Sequence, residues 1–179
     1  TIVRLAGLAG AVAGAVSMAA GEWVSISAQN DLVRRELDIE LRELEHNPEH
    51  ETEELAAVYE GYGMEPASAA QAAAEVMRSP SNALAVHARE EFGIDPGALP
   101  SAMQAAVLSL VSFIIGALLP LIPWFIGSGT AATLSSLVLG VVAAGIVGAV
   151  VGKFAERPVV WAATRQILIV LVACGATYV

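Results

Sequence analysis

The stretch Arg35-Glu-Leu-Asp-Ile-Glu-Leu-Arg-Glu-Leu-Glu-His-Asn-Pro-Glu-His-Glu-Thr-Glu-Glu54 decides the fold, because it sets a dense run of carboxylates between strongly apolar segments. The segment from Asp31 to Asp95 around it holds 16 of the 18 carboxylates but only five arginines. Carboxylates this crowded repel one another, so a compact state requires bound cations or an exposed, hydrated face. We therefore interpret this acidic segment as a metal-handling module.

The composition as a whole is that of a membrane protein. Of the 179 residues, 56% are hydrophobic, the mean hydropathy is +0.65, and the apolar residues form long blocks. The net charge of −9 argues against a nucleic-acid partner, since phosphate backbones are bound by clusters of Lys and Arg. The single cysteine, Cys174, excludes a disulfide framework or a cysteine-based zinc site within one chain.

Four apolar blocks are each long enough to cross a bilayer as a helix. They run from Leu5 to Ser27, Ala102 to Gly127, Thr130 to Gly152 and Ala162 to Val179. Nothing in the acidic segment resembles a strand. The predicted fold is therefore all-α, a polytopic bundle of membrane helices with a cytoplasmic helical domain inserted after the first span.

Within the acidic segment, the leucine spacing predicts that the first helix leaves the membrane and continues to Asn47-Pro48, where the proline ends it. A second helix is predicted to begin at Thr52, a third to span Pro66 to Arg78, and a fourth to end at Glu91. The predicted domains are residues 1–30 as a transmembrane span, 31–98 as the acidic helical domain and 99–179 as three further spans.

The positive charges predict the orientation. Apart from Arg4, each Lys and Arg lies in the acidic segment or in and just after the loop from Lys153 to Arg157. Alternation of four spans brings those two regions to one face, and the positive-inside rule makes that face cytoplasmic. The uncharged Ser128-Gly129 turn lies on the opposite face.

Three pairs of side chains in the acidic segment have the spacing of a chelating pair on one face of a helix. They are Glu40 with Glu43, Glu51 with Glu54, and His87 with Glu91. Oxygen-rich sets with some imidazole suit Fe²⁺, Mn²⁺ or Zn²⁺. The alternative is a solvated acidic face without a bound ion, because runs of charge usually face water.

Met18 and Glu22 form a further pair, at i and i+4 inside the first span. An ionisable group at membrane depth is costly and by default suggests an ion or proton path. The alternatives are that Glu22 reaches the cytoplasmic interface and that Met18 only packs. The chain lacks the usual protease, hydrolase and phosphate-loop motifs, and lacks Glu-x-x-His on two helices, so neither an enzyme nor a catalytic cofactor is predicted.

Two ordered stretches have a recognisable sequence: Ser17-Met-Ala-Ala-Gly-Glu-Trp-Val-Ser25 with the acidic helix after it, and His87-Ala-Arg-Glu-Glu-Phe-Gly-Ile-Asp-Pro96. Together they resemble the vacuolar iron transporter family, which is related to the yeast vacuolar calcium and iron carrier. Members of the family have five transmembrane helices, a cytoplasmic metal-binding domain between the second and third, and form dimers that export Fe²⁺ from the cytosol in exchange for protons. The resemblance implies that the first span here matches the family's second helix, with a fifth span expected upstream.

The resemblance also implies roles for individual residues. The metal-binding glutamates of the family match Glu40, Glu43, Glu51, Glu54 and Glu91. His87 stands where the best-known member has a methionine, so a nitrogen ligand replaces a sulfur ligand. Met18 matches a methionine proposed to line the ion path, and Glu22 matches a membrane-embedded carboxylate. The aspartate of the family's first helix has no counterpart, so this stretch alone is not expected to transport.

The predicted function is therefore transport of a divalent metal out of the cytosol by proton antiport, after capture of the ion by the cytoplasmic domain. Fe²⁺ is the expected ion, with Mn²⁺ and Zn²⁺ as other candidates. The alternative is a membrane-anchored metal buffer or sensor whose spans serve only for attachment and dimerisation. The expected partners are metal ions, protons, the lipid bilayer and a second copy of the chain, in a prokaryotic cell membrane in preference to a vacuolar one.

Overall fold

The computed structural model describes residues 2–178, and these residues form helices and no strands. The helices are α1 (Ile2–His46), α2 (Pro48–Gly61), α3 (Pro66–Met77), α4 (Pro80–Phe92), α5 (Ala102–Leu118), α6 (Ile122–Ile126), α7 (Gly129–Phe154) and α8 (Val159–Tyr178). A short 3-10 turn, Leu119–Leu121, joins α5 to α6. The all-α prediction is confirmed.

The chain divides into two compact units. The acidic unit is Glu22–Ala105, and the apolar unit is the chain up to Gly21 together with the chain from Ala106 onward. Because α1 runs without a break from Ile2 to His46, it contributes residues to both units. The three-part division at residues 30 and 98 concerns placement in a membrane and stays a prediction.

Within residues 2–178, four stretches of helix are long and apolar enough to cross a membrane, judged by length and composition. They are Ile2–His46, Ala102–Ile126, Gly129–Phe154 and Val159–Thr177. Their large apolar side chains are exposed, as at Val12 (63%), Ile146 (59%) and Val172 (72%). Helices that expose so much apolar surface are stable in lipid rather than in water, and the polytopic membrane fold is confirmed.

Small residues let α7 and α8 approach each other closely. A Cβ added to Gly148 would lie 2.7 Å from the carbonyl oxygen of Ala162, and one added to Gly152 would lie 2.7 Å from the Ala162 Cβ. Either side chain would push the helices apart, so the small-residue spacing on α7 has a packing role.

The span predicted as one helix from Ala102 to Gly127 is interrupted. α5 ends at Leu118, and α6 resumes after the 3-10 turn. Pro120 and Pro123 lack the backbone N–H that an α-helix requires, and their rings clash with the preceding turn. The break therefore falls at the first of the two prolines.

The prediction that the second helix begins at Thr52 is wrong, since α2 begins at Pro48. Proline is favoured at the first helical position, because its ring holds φ near the helical value and its missing N–H has no partner there in any case. Pro48 thus prevents α1 from continuing beyond His46 and is itself the first residue of α2. For the same reason α3 begins at Pro66 and α4 at Pro80.

The hydrophobic core of the acidic unit is small. Leu55 and Ala56 of α2 pack with Ala73 of α3, and partly buried side chains surround them at Tyr59, Val76 and Val86. This cluster joins α2, α3 and α4, and it therefore fixes the positions of the two helices, α2 and α4, whose polar side chains face α1.

Candidate metal centre

Three ionisable side chains of the acidic unit are buried as deeply as its core. Glu40 of α1 is 2% exposed, Glu51 of α2 is 4% exposed and His87 of α4 is 1% exposed. Glu91, one turn after His87 on α4, completes the group with a side chain that is 26% exposed. Burying charged groups is costly unless they are paired or bound to a metal, so these four residues define the candidate site.

The three carboxylates converge on one ring nitrogen of His87. His87 Nδ1 lies 3.1 Å from Glu40 Oε1, 3.2 Å from Glu91 Oε1 and 3.6 Å from Glu51 Oε2. Each of the four residues offers one ligand atom, and these atoms all lie within 4.8 Å of one another. Three carboxylates and one imidazole are therefore close enough together to bind one metal ion.

Hydrogen bonds within the site do not provide a partner for each of its buried polar atoms. A single N–H at His87 Nδ1 serves one carboxylate well, and three compete for it. Glu91 Oε1 is the carboxylate oxygen that forms a hydrogen bond with Nδ1, at 3.2 Å. Among the described residues of the site, the buried atoms Glu40 Oε1, which lies close to Nδ1 without accepting a hydrogen bond from it, and His87 Nε2 have no hydrogen-bond partner. Buried polar atoms are nearly always paired, so the two unpaired atoms indicate that a further species belongs at the site.

The electrostatics of the site favour a cation. Burial raises the pKa of Glu40, the charges of the neighbouring carboxylates, chiefly Glu91 and Glu51, raise it in the same direction, and together these effects bring it to about 7. Burial also raises the pKa of Glu51, followed by repulsion from Glu54, while His87 acts in the opposite direction. A bound divalent cation would remove this repulsion, and the oxygen-rich, imidazole-containing set suits Fe²⁺, Mn²⁺ or Zn²⁺.

The local sequence explains why these carboxylates are buried. Glu40 lies one helical turn before the buried Leu44 on α1, and Glu51 lies one turn before the buried Leu55 on α2. Residues at i and i+4 share a helix face, so each glutamate occupies a position that the apolar pattern assigns to the core. A carboxylate in register with core leucines is the sequence signal that separates these two from their neighbours.

The structure brings together four of the six predicted metal ligands. Glu43 and Glu54 are exposed and lie outside the group, although their charges raise the pKa of Glu40 and Glu51. Their role as direct ligands stays a prediction. Met18, which is 50% exposed, and Glu22, which is exposed, lie earlier on α1 and belong to no ligand group within the described residues.

A supporting contact at the edge of the site has no counterpart in the sequence predictions. The Tyr62 hydroxyl donates a 2.6 Å hydrogen bond to Glu90 Oε2, which links the turn after α2 to α4 next to Glu91. This bond raises the pKa of Tyr62. The Gly61-Tyr62-Gly63 turn was the only signal in the sequence, and a turn does not identify the partner of its side chain.

The stability of the metal-free chain is expected to depend on pH through Glu40. The unfolded chain loses this proton near the ordinary pKa of 4.5 and the folded chain loses it near 7. The contribution of Glu40 is therefore fully present below pH 4.5 and is lost as the pH rises to 7, because the folded state binds more protons in that window. We expect the free energy of unfolding to fall by roughly 3 kcal/mol over this range in chemical denaturation.

Fe²⁺ binding should show the opposite dependence, since the metal competes with this proton: its affinity, measured by anaerobic calorimetry, should rise between pH 5 and 7. The control is Glu40→Gln, in which the fall in stability should largely disappear. A stability that rises over the same window in the unaltered chain would contradict the assignment.

Comparison with known proteins gives a consistent result. Residues 1–179 match the sequence model of the VIT family. The chain is 40% identical over 120 residues to the vacuolar iron transporter of Acanthamoeba castellanii, covering 67% of this chain and 45% of that protein. It is 30% identical over 179 residues to the vacuolar iron transporter of Centaurea cyanus and to vacuolar iron transporter 1 of rice, covering 73% and 71% of their lengths.

Proposed function

This chain belongs to the VIT family, and from that premise we propose that it carries divalent iron out of the cytosol in exchange for protons. The family resemblance in the sequence is confirmed, and the relatives are transporters rather than enzymes. Four apolar helices make the chain an integral membrane protein. The direction, the proton coupling and the ion are the parts that we propose.

The buried group of Glu40, Glu51, His87 and Glu91 is the observation that carries the proposal. A helix that served only as an anchor or a spacer would have no reason to bury two carboxylates beside an imidazole and to place a third carboxylate next to them. The partly exposed Glu91 gives the ion a route from the surrounding water, while the other three groups are closed to it. We propose that this group captures Fe²⁺, with Mn²⁺ and Zn²⁺ as chemically similar competitors.

Proton exchange follows from the same carboxylates. A carboxylate whose pKa is about 7 holds either a proton or a metal at cytosolic pH, so small changes in proton activity shift the balance between the two. We propose that Met18 and Glu22 continue the path within the apolar part of α1. We propose further that two copies of the chain assemble around that path.

The orientation proposed here places the acidic unit in the cytosol. It rests on the positive charges of the α7–α8 loop and on the positive-inside rule. The same orientation serves in a prokaryotic cell membrane, where the ion leaves the cell, and in a vacuolar membrane, where the ion enters the vacuole. In both cases the metal is taken from the cytosol.

The test is Fe²⁺ flux into proteoliposomes that contain the full-length protein and a metal-quenched dye, because this stretch alone is not expected to transport. Vesicles with an acidic interior should take up Fe²⁺ faster than vesicles without a pH gradient, and the interior should become less acidic as the ion enters. Vesicles without protein provide the control.

A metal buffer or sensor is the second candidate, because all four ligands lie within the acidic unit and need no span to bind an ion. Fe²⁺ binding by the reconstituted full-length protein, with no flux above the protein-free control, would establish that alternative and exclude transport.

A further inference from the structure

A second cluster of charge lies at the other end of the chain, around the loop between α7 and α8. A cavity of about 590 Å³ opens there, entirely within the apolar unit. Its walls include two arginines, one tryptophan and apolar or small residues: Val151, Gly152, Arg157, Pro158, Trp161 and Arg165. The cavity thus combines a cationic rim with an apolar wall at the ends of two membrane helices.

The cations of this region are not neutralised by the protein. Lys153, Arg157 and Arg165 are exposed, and none forms an ion pair with a carboxylate of residues 2–178. The Arg165 guanidinium lies 5.0 Å from the centre of the Trp161 ring, which holds it beside the cavity. Glu156, the acid of this loop, is not among the cavity residues. The rim is therefore free to bind an anion.

The loop that carries Arg157 has a defined conformation. The backbone N–H of Arg157 donates a 2.9 Å hydrogen bond to Gly152 O, and that of Glu156 donates a 3.4 Å hydrogen bond to Lys153 O. Glu156 adopts the left-handed φ of 51° that this pattern requires at the end of a helix. The backbone of Arg157 is thus hydrogen-bonded to the last turn of α7.

We propose that this cavity binds the headgroup of an anionic phospholipid. Arg157, in the loop, pairs with the lipid phosphate at the level of the headgroups. Arg165, further along α8 and closer to the apolar part of the bilayer, binds the phosphate or the ester oxygens. Val151 and Trp161, which are 48% and 57% exposed, provide an apolar wall for the start of the acyl chains. Basic pockets between helices on the cytoplasmic side of a membrane bind anionic lipids by this combination of charge and apolar surface.

A carboxylate-rich segment of protein is the competing occupant, since it would also pair with the arginines. The apolar wall favours the lipid, because an acidic helix would leave Val151 and Trp161 without a matching partner. The position of the cavity at the ends of α7 and α8 also favours it, since both helices are apolar enough to span a bilayer.

The test uses the whole chain in detergent micelles, with Trp23→Phe and Trp124→Phe so that Trp161 is the only indole. Phosphatidylglycerol brominated on its acyl chains is the quencher, and brominated phosphatidylcholine is the neutral comparison. Each cation near an anionic headgroup raises the affinity about fivefold, so Arg157→Gln with Arg165→Gln should require roughly 30-fold more phosphatidylglycerol for half-maximal quenching. Arg78→Gln, an exposed arginine of the acidic unit, is the matched control and should change nothing.

Several results would overturn the proposal. Equal quenching by the two lipids would mean ordinary contact with acyl chains, and full competition by inorganic phosphate would assign the cavity to a free anion. If the double variant showed unchanged quenching by phosphatidylglycerol but an altered Fe²⁺ titration, the arginines would pair with carboxylates of the protein and not with a lipid. If circular dichroism shows that the double variant is unfolded, Arg157→Gln alone should give about a fivefold weakening, and its absence would count against the lipid.

Discussion

Replacement of Glu40 by glutamine is expected to weaken Fe²⁺ binding strongly while making the metal-free chain more stable. Glu40 is the most deeply buried carboxylate of the group, and burial together with the charges of Glu91 and Glu51 raises its pKa to about 7. Glutamine keeps the size of the side chain and removes the charge, whose burial destabilises the folded chain. The loss of a carboxylate ligand should lower the affinity by roughly 100-fold, since even outer-shell substitutions lower it 10–100-fold.

The gain in stability should appear at pH 7 and above, where Glu40 is ionised in the unaltered chain. From the raised pKa we expect the free energy of unfolding of the metal-free variant to exceed that of the unaltered chain by roughly 1–3 kcal/mol. Calorimetry with Fe²⁺ under anaerobic conditions and chemical denaturation without metal provide the two measurements. The opposite signs of the two effects distinguish a ligand from a residue that only supports the fold.

Glu45→Gln is the matched control, because Glu45 lies on the same helix and is exposed. It should leave the affinity for Fe²⁺ and the stability near those of the unaltered chain. If Glu40→Gln bound Fe²⁺ as tightly as Glu45→Gln does, Glu40 would not be a ligand. If it lost both metal binding and stability, the carboxylate would have a structural hydrogen-bonding role instead.

The membrane helices and the helices of the acidic unit could be predicted from the sequence because both follow from local patterns. Long apolar blocks predict spans, and Asn47-Pro48 predicts the end of α1. The predicted start of α2 at Thr52 is four residues late, because a proline can begin a helix as well as end the one before it. Pro48 occupies the first position of α2, where proline is favoured.

The chemical types of the ligands could be predicted from the sequence, but not which glutamate of each pair would reach the site. Helical spacing places Glu40 with Glu43 and Glu51 with Glu54, and it cannot decide which member of each pair faces the neighbouring helix. That choice depends on the packing of α1, α2 and α4, a long-range property. Register with the buried Leu44 and Leu55 provides the missing criterion, and it selects Glu40 and Glu51 over their exposed partners.

Burial of His87 is likewise a consequence of packing. On α4 it lies one turn after Ala83, and its neighbours Ala83 and Ala88 are both buried, so the imidazole is held on a face of small residues. This arrangement leaves room for the carboxylates of two other helices to reach the ring. From the sequence alone, His87 and Glu91 are one of three chelating pairs, and the convergence of three helices makes them part of a four-residue site.

Replacement of Glu22 by glutamine is expected to abolish proton-coupled Fe²⁺ flux and to leave Fe²⁺ capture intact. Glu22 lies in the apolar part of α1, where a carboxylate is costly and is kept for an ion or proton path. It is 18 residues before Glu40 on the same helix, roughly 27 Å along the axis, so its charge has little direct influence on the buried group. Glutamine retains the shape and hydrogen-bonding capacity of the side chain but cannot exchange a proton.

The measurement uses the full-length protein and pairs flux in acid-loaded proteoliposomes with Fe²⁺ calorimetry on the same preparation. Glu22→Gln should reduce the flux to that of protein-free vesicles and leave the affinity for Fe²⁺ within about twofold, because a ligand set that it does not touch behaves additively. Glu45→Gln should leave both quantities unchanged. Undiminished flux in Glu22→Gln would mean that Glu22 only reaches the interface of the membrane. A loss of Fe²⁺ binding would mean that the substitution disturbs the fold of α1 and thereby the ligand group, so that the loss of flux would say nothing about the ion path.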